Sequence, residues 1–118
     1  MSNDYTGKMK ARMRGDLVDA IKGRRAEEIA LLRSLLAAID NAEAPAVGSL
    51  PQPISGGSSE IERLVLTAAE LQAVLLEEIR ARERAAAELA SLGHLERADA
   101  LLGQAASAKR YVAPIASE

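Results

Sequence analysis

Apolar side chains recur three and four positions apart in several separate stretches of this 118-residue chain, and that spacing is the strongest constraint on its fold. A half-buried strand needs strict alternation, whereas a period near 3.6 builds helices that each have one face to bury. The residue types agree. The apolar positions are almost all Ala, Leu, Ile and Val, and the β-branched ones are scattered rather than clustered. There is no Phe or Trp and only Tyr5 and Tyr111 carry aromatic rings, so the predicted core is aliphatic. A chain of this length forms one domain able to bury about two-thirds of the surface its unfolded form exposes. The expected fold is all-α: a four-helix module of two helical hairpins, with a short extra helix after a Pro/Gly-rich loop.

In the first helix, predicted over 8–22 after a disordered 1–7, Met9, Met13, Leu17, Val18 and Ile21 share a stripe and Gly23 supplies the stop. The second opens with Glu27 and Glu28, acids suited to its positive N-terminal end. It continues through Ile29, Leu32, Leu36 and Ile39 to about Ala42, widened by Leu31 and Leu35 into what is expected to be the most buried helix. The short connection at Gly23 predicts an antiparallel pair.

Residues 43–57, "EAPAVGSLPQPISGG", hold three of the four prolines and read as a slack loop, taken as 43–58, with none of the groups that chemistry needs. Ser59 and Glu62 have capping spacing, which predicts a short helix through Val65. In "LTAAEL", Thr67 and Glu70 form a capping box and Leu66 and Leu71 a hydrophobic staple. The third helix then runs through Leu71, Val74, Leu75 and Ile79 to about Leu92, with Glu78 and Arg82 spaced for an ion pair and Gly93 as its stop. The fourth places Leu95, Ala98, Leu102, Ala105 and Val112 on one face, and Pro114 is expected to end it, leaving 113–118 as a tail. Ala85, Ala86, Ala87, Ala90, Ala105, Ala106 and Ala108 would let the last two helices lie close together.

Without cysteine, the chain has no disulfide, zinc–thiolate site or thiol nucleophile. His94, in a predicted surface turn, is the only group titrating near neutrality. Glu77 with Glu78, and Glu96 with Asp99, read as solvated carboxylates rather than an acid–base pair. No metal-loop, "HExxH" or phosphate-loop motif is present, so catalytic, cofactor and metal sites are all expected to be absent, with no small-molecule substrate. No segment has the length and apolarity of a membrane span or signal sequence, which sets the expectation of a cytoplasmic protein. The net charge of -2 hides a basic end: Lys8, Lys10, Arg12, Arg14, Lys22, Arg24, Arg25 and Arg33 crowd the first third. These charges read first as the wet face of a helix, with nucleic-acid contact as an additional use.

Three segments in order, "LLRSLLAAIDNAE" at 31–43, "EEIRARERAAAEL" at 77–89 and "GHLERADALL" at 93–102, resemble the N-terminal helical domain of the GatB/YqeY family over about four-fifths of the chain. The resemblance implies an all-helical module like the tail of the B subunit of tRNA-dependent amidotransferases, which helps hold aminoacyl-tRNA. Kinase and transamidation chemistry lie in other domains and subunits there, so it implies no enzyme, and a carbon–nitrogen ligase activity belongs to the larger assembly. Family members continue into a smaller C-terminal helical domain after the segment matching "AKRYVAP", whereas this sequence stops at Glu118. With so few aromatic rings for base stacking, RNA contact is expected only at the backbone, through Arg and Lys.

Two functions follow as expectations. The first is tRNA binding through Lys8, Lys10, Arg12, Arg14, Lys22, Arg24 and Arg25. The second is protein interaction, either homodimerisation or docking on a partner helix through an incompletely covered alanine-rich face. Placement of the cations discriminates them. Convergence of Arg24, Arg25, Arg33, Lys10 and Arg14 on one surface favours RNA, and pairing with acids such as Asp16, Asp19 and Glu28 disfavours it.

Overall fold

The computed structural model describes residues 4–45 and 64–116, which form four helices and, among the described residues, no strand. These are α1 (Tyr5–Lys22), α2 (Ala26–Glu43), α3 (Ala68–Ser91) and α4 (Leu95–Ala116). The fold is all-α, as the periodicity predicts, and α1 with α2 and α3 with α4 form two hairpins within a body of 55 × 32 × 29 Å. Most of the predicted 43–58 loop lies outside the described residues, as do residues 59–63 of the predicted short helix. Leu64 and Val65, at that helix's expected end, are not helical.

Helix α1 starts three residues earlier than predicted, so residues 5–7 are not part of a disordered lead. Asp4 is the cause: its carboxylate accepts the Gly7 N–H at 3.1 Å and satisfies one of the orphan donors of the first turn. The capping box of α3 forms as read. Thr67 Oγ1 accepts the Glu70 N–H at 3.0 Å while Glu70 accepts the Thr67 N–H at 2.8 Å. Beyond Leu92, Gly93 takes φ +86°. Its N–H reaches Ala90 O and the His94 N–H reaches Leu89 O, the paired bonds of a Schellman stop.

The core is formed by Met9, Met13 and Ala20 of α1, Leu31, Leu32, Leu35 and Ile39 of α2, Leu71, Leu75 and Ile79 of α3, and Ala105, Ala108, Tyr111 and Ile115 of α4. Helix α2 contacts each of the other three, which is why two adjacent rows of its leucines are fully buried. Three predictions need correction. Val18 and Ile21 are about half exposed, because α1 lies on its neighbours along Thr6, Met9, Met13 and Ala20, with Leu17 only partly covered. Leu95 and Leu102 face outward, because α4 turns Ala98, Ala105 and Ala108 inward instead, and small side chains allow the closest approach to α3.

The third correction is the aliphatic core. Tyr111 is the bulkiest fully buried side chain, and with Ile115 it pins the last turn of α4 to the bundle. That anchoring carries the helix through Pro114 to Ala116, past the predicted end. A proline there removes one N–H near a terminus, a smaller loss than in a helix interior. Ala86 and Ala98 are buried outside the main cluster, where the far ends of α3 and α4 cover one another. Among the described residues no helix is long and apolar enough to cross a membrane.

Candidate nucleic-acid interface

Alternate positions on an α-helix lie about 200° apart, so the run Lys8, Lys10, Arg12, Arg14 separates into two rows. Lys8 and Arg12 form one row. Lys10 and Arg14 form the other, turned toward α2.

Lys10 is spent on structure. Its ammonium donates to Glu43 Oε1 at 2.6 Å and Asp40 Oδ1 at 3.3 Å, with only 12% of its side chain exposed, and so ties the start of α1 to the end of α2. Arg12 is drawn the opposite way, its guanidinium carbon 4.7 Å from the centroid of the Tyr111 ring. Arg25 is also engaged, bonding Glu28 Oε2 at 3.1 Å.

Arg25 belongs to a polar cluster that joins α1, α2 and α4. The Tyr111 hydroxyl donates to Asp16 Oδ2 at 2.5 Å and accepts from Arg110 Nη2 at 2.8 Å. Arg110 also reaches Glu28 Oε1 at 3.4 Å, and its guanidinium carbon lies 4.9 Å from the Tyr111 ring centroid. Burial pushes the Tyr111 phenol up to about 12, and the bond to the Asp16 carboxylate adds to it. Arg110 is raised further above its usual value, chiefly by its bond to Tyr111, and so stays charged. Asp16, Asp19, Arg25, Glu28 and Arg110 border a cavity of about 320 Å³, but its cations are held by its own carboxylates. This cluster is a brace between helices, and sequence reasoning missed it. The signal was there in Tyr111 at helical spacing from Ala105, Ala108 and Ile115.

A second cavity of about 440 Å³ lies between the start of α2 and α4. Gln104 spans one side, accepting from Arg82 at 3.0 Å and donating to Glu27 at 2.6 Å. The predicted Glu78–Arg82 pair forms at 3.1 Å, and Glu77 pairs with Arg84, so these carboxylates are occupied by cations.

Lys8, Arg14, Lys22, Arg24 and Arg33 are exposed and take part in no ion pair among the described residues. Four of them share one region. Arg14 lies one turn beyond Lys10 on the α2-facing row of α1, and Arg33 lies two turns before Asp40 on the α1-facing row of α2. Arg14 and Arg33 therefore border the same outer seam, one from each helix. Lys22 and Arg24 stand at the turn that closes it. Val18 and Ile21, about half exposed, lie on the outer side of α1 with them. Of the five cations whose placement discriminates the two expectations, Arg14, Arg24 and Arg33 make no ion pair among the described residues, whereas Lys10 pairs with Asp40 and Glu43 and Arg25 with Glu28.

Arg24 has a further peculiarity. The left-handed position that ends α1 falls here and not on the predicted Gly23: Arg24 has φ +55°, its N–H reaches Ile21 O, and the Arg25 N–H reaches Ala20 O. Glycine is the usual occupant, since a side chain costs about 1 kcal/mol in this conformation. Arg24→Gly is therefore expected to raise unfolding free energy by about 0.5–1 kcal/mol in a urea titration while removing one outward cation. No protein-family model, curated protein or solved structure matches this chain.

Proposed function

We propose that this protein is a non-catalytic helical module that holds structured RNA, tRNA in the first place, by its phosphate backbone on the outer face of the α1–α2 hairpin. The observation that carries the reading is that Arg14, Lys22, Arg24 and Arg33, exposed and without a carboxylate partner among the described residues, all lie on the α1–α2 hairpin, whereas the arginines of this kind on the last two helices, Arg80 and Arg97, lie one on each helix. Phosphate contact needs cations that do not first have to be released from internal pairs. The strained Arg24, a cation where glycine would be easier, points the same way. The resemblance to the GatB/YqeY tail domain agrees, and it rests on the three quoted segments alone.

The test is the affinity for bulk bacterial tRNA across a salt titration. Four phosphate contacts predict a slope of log affinity against log salt of about -3 to -4. Changing Arg14, Lys22, Arg24 and Arg33 together to Ala is expected to lower affinity at least about tenfold and flatten the slope. Binding unchanged in that variant, or absent from the parent at physiological salt, overturns the reading.

A further inference from the structure

The outward face of α4 carries a regular pattern that stands exposed to water. Leu95, Asp99, Leu102, Ala106, Lys109 and Ala113 are all exposed, and they follow one another at steps of four, three, four, three and four. That is the spacing of a coiled-coil seam, with Leu95, Leu102 and Lys109 at one core position and Asp99, Ala106 and Ala113 at the other. Leu95 is 63% and Leu102 47% exposed, so two large apolar side chains stand in water on this one stripe.

The order of the six residues is self-complementary. Laid antiparallel on a second copy of itself, the stripe sets Leu95 against Ala113, Asp99 against Lys109, and Leu102 against Ala106, and each pairing occurs twice about the two-fold axis. Every layer matches: a large side chain meets a small one, or an acid meets a base. The parallel alternative sets Asp99 on Asp99 and Lys109 on Lys109, so like charges exclude it. In the monomer Lys109 pairs with Glu83 at 3.3 Å, but the two side chains are 61% and 42% exposed and the pair exchanges at little cost. Gly103, beside the centre of the stripe, adds no side chain to hold two helices apart.

We infer that the protein forms a two-fold homodimer through antiparallel packing of α4 on α4, held by Leu95 and Leu102 and set in register by Asp99 and Lys109 of opposite copies. A single helix pair over this stretch is about 27 Å long, below the size of a standard stable interface, so the dimer dissociates in the micromolar range. The inference is independent of RNA binding, which uses other helices.

Sedimentation equilibrium from micromolar to millimolar protein tests it, with helicity checked by circular dichroism. The parent is expected to pass from monomer to dimer. Asp99→Lys, which opposes two lysines at both symmetric sites, should weaken association at least about tenfold, and adding Lys109→Asp should restore it to within about threefold. Leu102→Glu, at an exposed position that the fold does not need, should weaken association by about 100-fold. A parent that stays monomeric, a dimer indifferent to Asp99→Lys, or a charge swap that fails to restore association overturns the inference.

Discussion

Replacing Tyr111 by Ala is expected to lower the unfolding free energy by about 3–5 kcal/mol, a large share of what a small domain possesses. The side chain is fully buried and is the bulkiest in the core. Its loss opens a cavity and also strips Asp16 and Arg110 of their shared hydroxyl. Tyr111→Phe separates the two effects. The ring stays while the hydrogen bonds go, and the cost falls to about 1–3 kcal/mol for leaving Asp16 and Arg110 without that partner. The same hydroxyl confers an alkaline limit. Its pKa is raised from 10.0 when unfolded to about 12 when folded, so the fold favours the protonated phenol. That contribution is complete below pH 10 and disappears as pH rises toward 12. Urea unfolding followed by circular dichroism between neutral and alkaline pH measures all three, and Tyr111→Phe should lack this part of the alkaline decline.

Lys10→Glu is the second large effect, expected at about 2–4 kcal/mol because it removes the cation that two carboxylates share and puts a third negative charge in its place. Glu43 is 8% exposed and accepts the shortest of Lys10's bonds, so repulsion there is weakly screened. The measurement is again urea unfolding, and the result separates two roles for the basic end. Lys10 should affect stability strongly, while the Arg14, Lys22, Arg24 and Arg33 set should change stability little and tRNA affinity strongly. If Lys10→Glu leaves the midpoint where it was, the pair is not holding α1 to α2.

Much of the architecture is legible before any coordinate. Thr67 with Glu70 marks the start of α3 because capping is local, and Gly93 marks its end because few other residues accept a positive φ. The Asp4 cap is equally local, but the apolar stripe alone places the start of α1 three residues late. Periodicity finds a stripe but not how wide a sector the neighbours will cover. It therefore named Val18, Ile21, Leu95 and Leu102 as core, when Thr6, Met9, Met13 and Ala20 take that interface on α1 and Ala98, Ala105 and Ala108 take it on α4. For the candidate interface the separation was available in principle, since the two rows of Lys8, Lys10, Arg12 and Arg14 follow from helical geometry alone.

The sequence by itself determined four helices, their order, two of their boundaries and the antiparallel hairpins, because capping, turn chemistry and apolar spacing act over a few residues. Only the tertiary structure decided which cations are free. Lys10 finds Asp40 and Glu43 across 30 and 33 residues of chain, and Tyr111 finds Asp16 from the opposite end of the sequence. Such pairings depend on which faces the packed helices turn toward one another, and that is fixed by the whole core at once.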